Sequence, residues 1–258
     1  MLGAIAGDMI GVPWESQGEK RYDFPLFTEY SRFSDDTVMT LAVAHALLEG
    51  RGYAESMREF GRRHPFVGFG MHFQRWLFDA SMGPYYSYGN GGAMRASPIG
   101  FAMRSAEDAL AEAERCAAPT NNHPEGVKGA RAVALAVFLA RSGASKQHIR
   151  GEIAARIGYD LHRTVVDIRP GYNFDVAAER SVPEAIICFL DAPDFEGAVR
   201  NAVSLGGDAD TMACIAGAIA EAHWGGVPQQ IAEEVRKRLP PEFLDLLDRF
   251  QARFWTRP

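Results

Sequence analysis

Cysteine is scarce in this chain: Cys116, Cys188 and Cys214 are the only three, and no two form a C-x-x-C pair. So odd and sparse a set excludes a disulfide framework and fits a reduced compartment, where a free thiol serves as a small core side chain. Long apolar runs are also missing. The longest plain one, Ala132 to Ala140, is too short to cross a bilayer. The first apolar stretch lacks a basic start and is broken by Asp8, unlike a signal peptide, so a cytoplasmic location with no membrane partner is expected. No long basic run occurs, and 33 acidic against 27 basic residues leave a net charge of -6. General nucleic-acid binding therefore has no signal here. Internal repeats, low-complexity segments and clear interdomain linkers are absent too. A chain of 258 residues, 47% of them hydrophobic, is then expected to be one domain over 1–258 with a sizeable core.

Sustained period-2 alternation is missing, whereas helical periodicity is everywhere. Ser34 is placed to cap a helix through Val38, Leu41 and Leu47, ended by Gly50 and Gly52. Tyr53 to Arg63 reads as a shorter helix stopped before Pro65. Phe69, Phe73, Trp76 and Leu77 keep one apolar stripe, read as core. Ser105 with Asp108 opens an alanine-rich helix ending near Pro119, and Pro124 with Glu125 opens a long one to Gly143. Ser181 with Glu184 reads as a capping box around Pro183. Asp194 caps the next helix, which stops at Gly206 and Gly207. Another follows Asp210 to Gly225, and Pro228 and Pro240 open the last two. The expected class is all-α, with ten or so helices. Long loops remain at Val12 to Phe33, Ala80 to Gly92 and Tyr159 to Arg180.

Two acidic segments stand out at helix starts: Ser34-Asp35-Asp36-Thr37 and Gly206-Gly207-Asp208-Ala209-Asp210-Thr211. Taken singly, each is explained by capping and by the helix dipole. Taken together they offer four carboxylates and several hydroxyls, an all-oxygen set suited to Mg²⁺, Mn²⁺ or Ca²⁺ rather than Zn²⁺. Asp208 and Asp210 alternate as ligands do, behind a glycine pair that lets backbone approach a ligand closely. A shared site requires two segments so far apart in sequence to converge in the fold. A third segment spaces Gly3, Gly7 and Gly11 along one helix face and carries Asp8. That Asp is equally readable as a buried structural group or a functional one. Glu15 follows in a loop. Tyr85 to Gly92 mixes aromatics, hydroxyls and glycines, which suits stacking and phosphate contact or simply a turn.

In order along the chain, Gly7-Asp8-x-x-Gly11-x-x-x-Glu15, Ser34-Asp35-Asp36-Thr37, Gly89-Asn90-Gly91-Gly92-Ala93-Met94-Arg95 and Gly206-Gly207-Asp208-x-Asp210-Thr211 resemble the ADP-ribosylglycohydrolases. The resemblance spans Gly3 to about Gly225. It implies a compact all-α fold with a cleft holding two divalent cations, Mg²⁺ or Mn²⁺. Carried onto matching positions, the implied ligands are Ser34, Asp35, Asp36, Asp208, Asp210 and Thr211. Ser34 stands where the family usually has threonine, and the hydroxyl is kept. Glu15 and Asp36 are the implied proton-handling carboxylates. Ser87, Tyr88, Gly89, Asn90 and Gly91 are expected along the ADP-ribose, with His123 touching the nucleotide from the start of the long helix. Arg95 is expected to be a structural ion-pair partner, with a phosphate clamp as the alternative. The implied reaction is hydrolysis of the bond between ribose C1″ and an acceptor on an ADP-ribosylated substrate. A non-catalytic ADP-ribose reader and a binuclear phosphohydrolase are the rival readings. No motif identifies the acceptor or the oligomeric state.

Overall fold

Three glycines set the centre of the fold. In the computed structural model, which describes residues 1–15 and 17–255, Gly3, Gly7 and Gly11 of α1 (Leu2–Gly11) lie against α13 (Ala209–Trp224). A Cβ at Gly3 would overlap the Gly217 carbonyl, one at Gly7 the Ala213 carbonyl, and one at Gly11 the Asp210 backbone. Rising numbers on α1 thus meet falling numbers on α13, so the two helices run antiparallel at backbone contact. The chain leaving α1 toward Glu15 is thereby delivered beside the start of α13, where Asp208 and Asp210 stand.

Around this pair lie α2 (Asp35–Glu49), α3 (Tyr53–Arg63), α4 (Met71–Phe78), α5 (Gly91–Met94), α6 (Ser97–Ala102), α7 (Ala106–Ala117) and α8 (Pro124–Arg141). Then follow α9 (Lys146–Ile157), α10 (Val165–Ile168), α11 (Ala178–Leu190), α12 (Phe195–Val203), α14 (Gln229–Arg238) and α15 (Pro241–Phe254). Among the described residues there is no strand, only an isolated bridge between Gly89 and Ala177, so the fold is all-α. Helix α13 is buried from Ala209 through Ala222, as a helix apolar on all sides must be. It packs on α8, α11 and α12, and the three thiols are free and buried in this core.

Most caps sit where the sequence puts them. Ser34 accepts from the Asp36 amide, Ser105 from Asp108 and Asp194 from Gly197. Elsewhere local signals misled. The capping box expected at Ser181 does not exist. Helix α11 starts at Ala178, and the Ser181 hydroxyl instead donates to the Ala177 carbonyl at 2.9 Å, while Glu184 pairs with Arg163. Helix α9 has no counterpart in the sequence reading, because Ile149, Ile153 and Ile157 are scattered among charged residues. The long loop at Tyr159 to Arg180 contains α10, with a capping box of Thr164 and Asp167. Trp76 and Leu77 are core, but Phe73 forms part of a cavity wall.

Candidate active site

Asp8 is fully buried on α1 and accepts four hydrogen bonds from the start of α2. They come from the Ser34 amide at 3.0 Å, the Ser34 hydroxyl at 2.6 Å, the Thr37 amide at 3.1 Å and the Thr37 hydroxyl. A carboxylate satisfied by two amides and two hydroxyls fixes the first turn of α2 against α1. Helix α13 is joined to that turn directly, since the Thr211 hydroxyl donates to Asp36 Oδ2 at 3.2 Å. Two acidic segments far apart in sequence thus share one place in the fold.

The carboxylates form two overlapping triads. Oxygens of Asp8, Asp36 and Asp210 lie within 4.8 Å of one another, and so do those of Glu15, Asp208 and Asp210. Asp210 belongs to both. Burial and mutual repulsion act together on these acids. Asp36 and Asp210 are pushed well above the usual carboxylate range, first by burial and then by neighbouring carboxylates. Burial also raises Asp8 and Asp208 against the hydrogen bonds that oppose it. Half-buried Glu15 is raised by burial and by Asp208 and Asp8, with Arg32 opposing. Asp35 is pushed up to about 8, by burial and then by Asp8. It lies outside both triads, on the cavity wall beside Gly68. A Cβ at Gly68, where φ is +112°, would lie 3.1 Å from Asp35 Oδ1.

Glu15, Asp35, Asp36, Asp208 and Asp210 line the floor of a cavity of about 520 Å³, and Asp8 lies buried beneath them. Its walls include Gly68 to Phe73 on one side and Tyr85 to Gly91 on the other. The second wall is a loop drawn tight by polar contacts. The Ser87 amide donates to the Thr120 carbonyl at 3.2 Å, and Asn90 to the Val176 carbonyl at 2.8 Å. Asn121 Nδ2 donates to the Gly89 carbonyl at 2.9 Å and to Ser87 Oγ at 3.3 Å. Its amide is oriented by the Thr120 hydroxyl, which donates to Asn121 Oδ1 at 2.8 Å. Tyr86 has φ +59°, uncommon for a non-glycine residue. The loop reaches the acids through Asn90, whose Nδ2 donates to Asp208 Oδ2 at 2.7 Å.

The cavity lining brings together Glu15, Asp35, Asp36, Ser87, Tyr88, Gly89, Asn90, Gly91, Asp208, Asp210 and Thr211. Ser34 lies behind them, with its hydroxyl engaged on Asp8 and as the cap of α2. His123 is also outside the lining. It caps α8, accepting from the Glu125 amide at 3.1 Å, and meets the loop through ring contacts with Tyr86 and Tyr88 at 4.8 and 6.0 Å. Arg95 is not the ion-pair partner expected. It is buried and donates to the Thr120 hydroxyl at 2.8 Å and the Cys116 carbonyl at 3.3 Å, with no carboxylate partner among the described residues. Lining residues that escaped the sequence reading include Asn121 and His72, which stacks on Tyr85 at 6.2 Å. No signal in the sequence marks either, because the acidity of the floor says nothing about its walls.

A sequence model of the ADP-ribosylglycohydrolases matches residues 1–257. The chain therefore belongs to the ADP-ribosylglycohydrolase family, and it is an enzyme, a hydrolase of the glycosidase type. It is similar to ADP-ribosylhydrolase ARH3 of Danio rerio, 27% identical over 87% of this chain and 81% of that protein. It is also similar to ADP-ribosylhydrolase ARH3 of Homo sapiens, 29% identical over 77% and 72%. A solved structure described as an ADP-ribosylglycohydrolase-related protein complex superposes with a TM-score of 0.69, covering 98% of this chain and 96% of that one at 24% identity. That likeness speaks for the fold. No helix among the described residues is long and apolar enough to cross a membrane.

Proposed function

We propose that the chain hydrolyses the bond between ribose C1″ of ADP-ribose and an acceptor, and that it does so with two divalent cations, Mg²⁺ or Mn²⁺. The observation that carries this reading is the pair of carboxylate triads sharing Asp210 on the cavity floor. Packing so many buried acids together is unfavourable unless they are protonated or neutralised by cations. Asp36 Oδ1 is buried with no hydrogen-bond partner, which suits an oxygen kept for a ligand. The donors are all oxygen, as hard cations require. Asp8, Asp36 and Asp210 would hold one ion, and Glu15, Asp208 and Asp210 the other. Asp35, Thr211 and Ser34, implied as ligands by the resemblance, would complete the oxygen donor set, Asp35 and Thr211 from the cavity lining and Ser34 from beside Asp8.

When bound, the cations supply Lewis acidity and a template for ribose oxygens and water. The chain's own residues supply the rest. Ser87, Tyr88, Gly89, Asn90 and Gly91 bind and orient the ADP-ribose, with His123 supporting the two tyrosines from behind. Glu15, half-buried and holding its proton more tightly than a free glutamate, handles the proton of the attacking water. The carboxyl oxygens of Asp36 and Asp35 on the cavity lining face the reacting ribose, where they favour the positive charge that develops there. The test is a panel of defined ADP-ribosyl conjugates incubated with Mg²⁺ or Mn²⁺ and analysed by mass. Release of intact ADP-ribose supports the reading. Release of phosphate or AMP would favour a phosphohydrolase, and binding without turnover a reader.

A further inference from the structure

Lys20 follows Glu15 in the loop after α1, and its half-buried side chain ties that loop to two other stretches of backbone. Its ammonium donates to the carbonyls of Arg169 at 2.9 Å, Tyr172 at 2.5 Å and Leu205. An ammonium has three protons, and each finds a carbonyl. Leu205 leads into the turn that presents Asp208. That turn has no room to spare. Gly206 has φ +66°, and a Cβ there would lie 2.9 Å from the Gly18 carbonyl carbon and 3.0 Å from the Glu19 oxygen. A Cβ at Gly207 would overlap the ring of Tyr172. The turn before Asp208 is thus wedged between the Glu15 loop and Tyr172, and Lys20 is the side chain tied to all three.

We infer that Lys20 is a positioning residue that fixes Glu15 against Asp208 and so assembles the second triad. The inference rests on the proposed reading of that triad as a metal centre. Glu15 closes the short 3-10 turn Val12–Trp14 that continues α1, and Asp208 opens α13, so the tie from Lys20 to Leu205 adds a second brace to the one Gly11 makes against Asp210. Groups just outside a metal's ligands commonly set its affinity by about 10- to 100-fold.

The test compares wild type with Lys20→Met, which keeps the aliphatic stem and removes all three donors, and Lys20→Gln, which keeps two. Mn²⁺ affinity is measured by calorimetry well below the melting temperature. Backbone hydrogen exchange over 17–20, 169–173 and 205–207 is measured on the metal-free proteins. The expected result is Mn²⁺ binding weakened about tenfold or more in Lys20→Met, a smaller loss in Lys20→Gln, and faster exchange in all three segments. A lowered melting temperature with unchanged Mn²⁺ affinity would overturn the proposal and leave Lys20 a structural tie. If wild type itself binds no Mn²⁺, the metal reading fails. The assignment of Lys20 to the second triad then falls with it, and faster exchange in the three segments would mark Lys20 as a structural tie alone.

Discussion

Asn90 Nδ2 donates to Asp208 Oδ2 at 2.7 Å, joining the loop proposed to hold ADP-ribose to the acids proposed to hold metal. The amide fixes the orientation of the Asp208 carboxylate. Asn90→Asp would place a second acid against Asp208 in the same volume. It should weaken Mn²⁺ binding about 10- to 100-fold and slow turnover in step, as calorimetry and steady-state rates on the same preparation would show. Unchanged affinity would mean that this contact only packs the loop.

Asp36 and Asp208 test whether two helix starts act as one site. In each Ala variant nearly all activity should be lost, and the double variant should lose little more, because groups acting as a unit are not additive. Independent caps would instead cost about 1 kcal/mol of stability each, and the costs would add. Rates and denaturant midpoints for the four proteins separate the two outcomes.

Glu15 is expected to matter more for turnover than for binding. Glu15→Gln keeps the shape and one oxygen of the side chain, so ADP-ribose affinity should stay within a few-fold while kcat falls by about 10²-fold or more. Near-normal kcat would remove Glu15 from the proton-handling role.

Acidity should stabilise the metal-free protein. Asp35 is pushed up to about 8 from 3.8, and Asp36 and Asp210 are also raised well above 3.8. Between pH 4 and 8 the folded state therefore binds more protons than the unfolded one, and stability falls as pH rises through that window. Each fully shifted group contributes at most about 1.4 kcal/mol per pH unit. Cations need the ionised carboxylates, so Mn²⁺ affinity should rise over the same window. Melting temperatures at pH 5, 6, 7 and 8, with chelator and with Mn²⁺, should diverge as pH increases. Parallel curves would contradict the assignment.

Much of this was legible in the sequence, and the limits are physical. Helical periodicity carried the fold class, and the order of the acidic and glycine motifs carried the principal acids, because those acids stand at helix starts. Asp8 stayed ambiguous, since its partners Ser34 and Thr37 are supplied only by folding. Lys20, Asn121 and Arg95 act on backbone carbonyls or through one another, which leaves no pattern in residue type. Helix α9 was missed because its isoleucines are diluted by charge, and α11 was started late because a Ser-x-x-Glu spacing also occurs inside helices. The Gly3, Gly7 and Gly11 face was visible, and its partner was not. Gly7→Ala should now cost about 1–3 kcal/mol or more, since backbone faces it and cannot yield as a side chain would.

The count of cations held by one chain tests the central claim most directly. Equilibrium dialysis of metal-free protein against Mn²⁺ should give two ions per chain for wild type. Asp210→Ala should bind neither ion tightly, because Asp210 is the carboxylate common to both triads. One ion or none in wild type, or two retained by Asp210→Ala, would contradict a binuclear centre built across α1, α2 and α13.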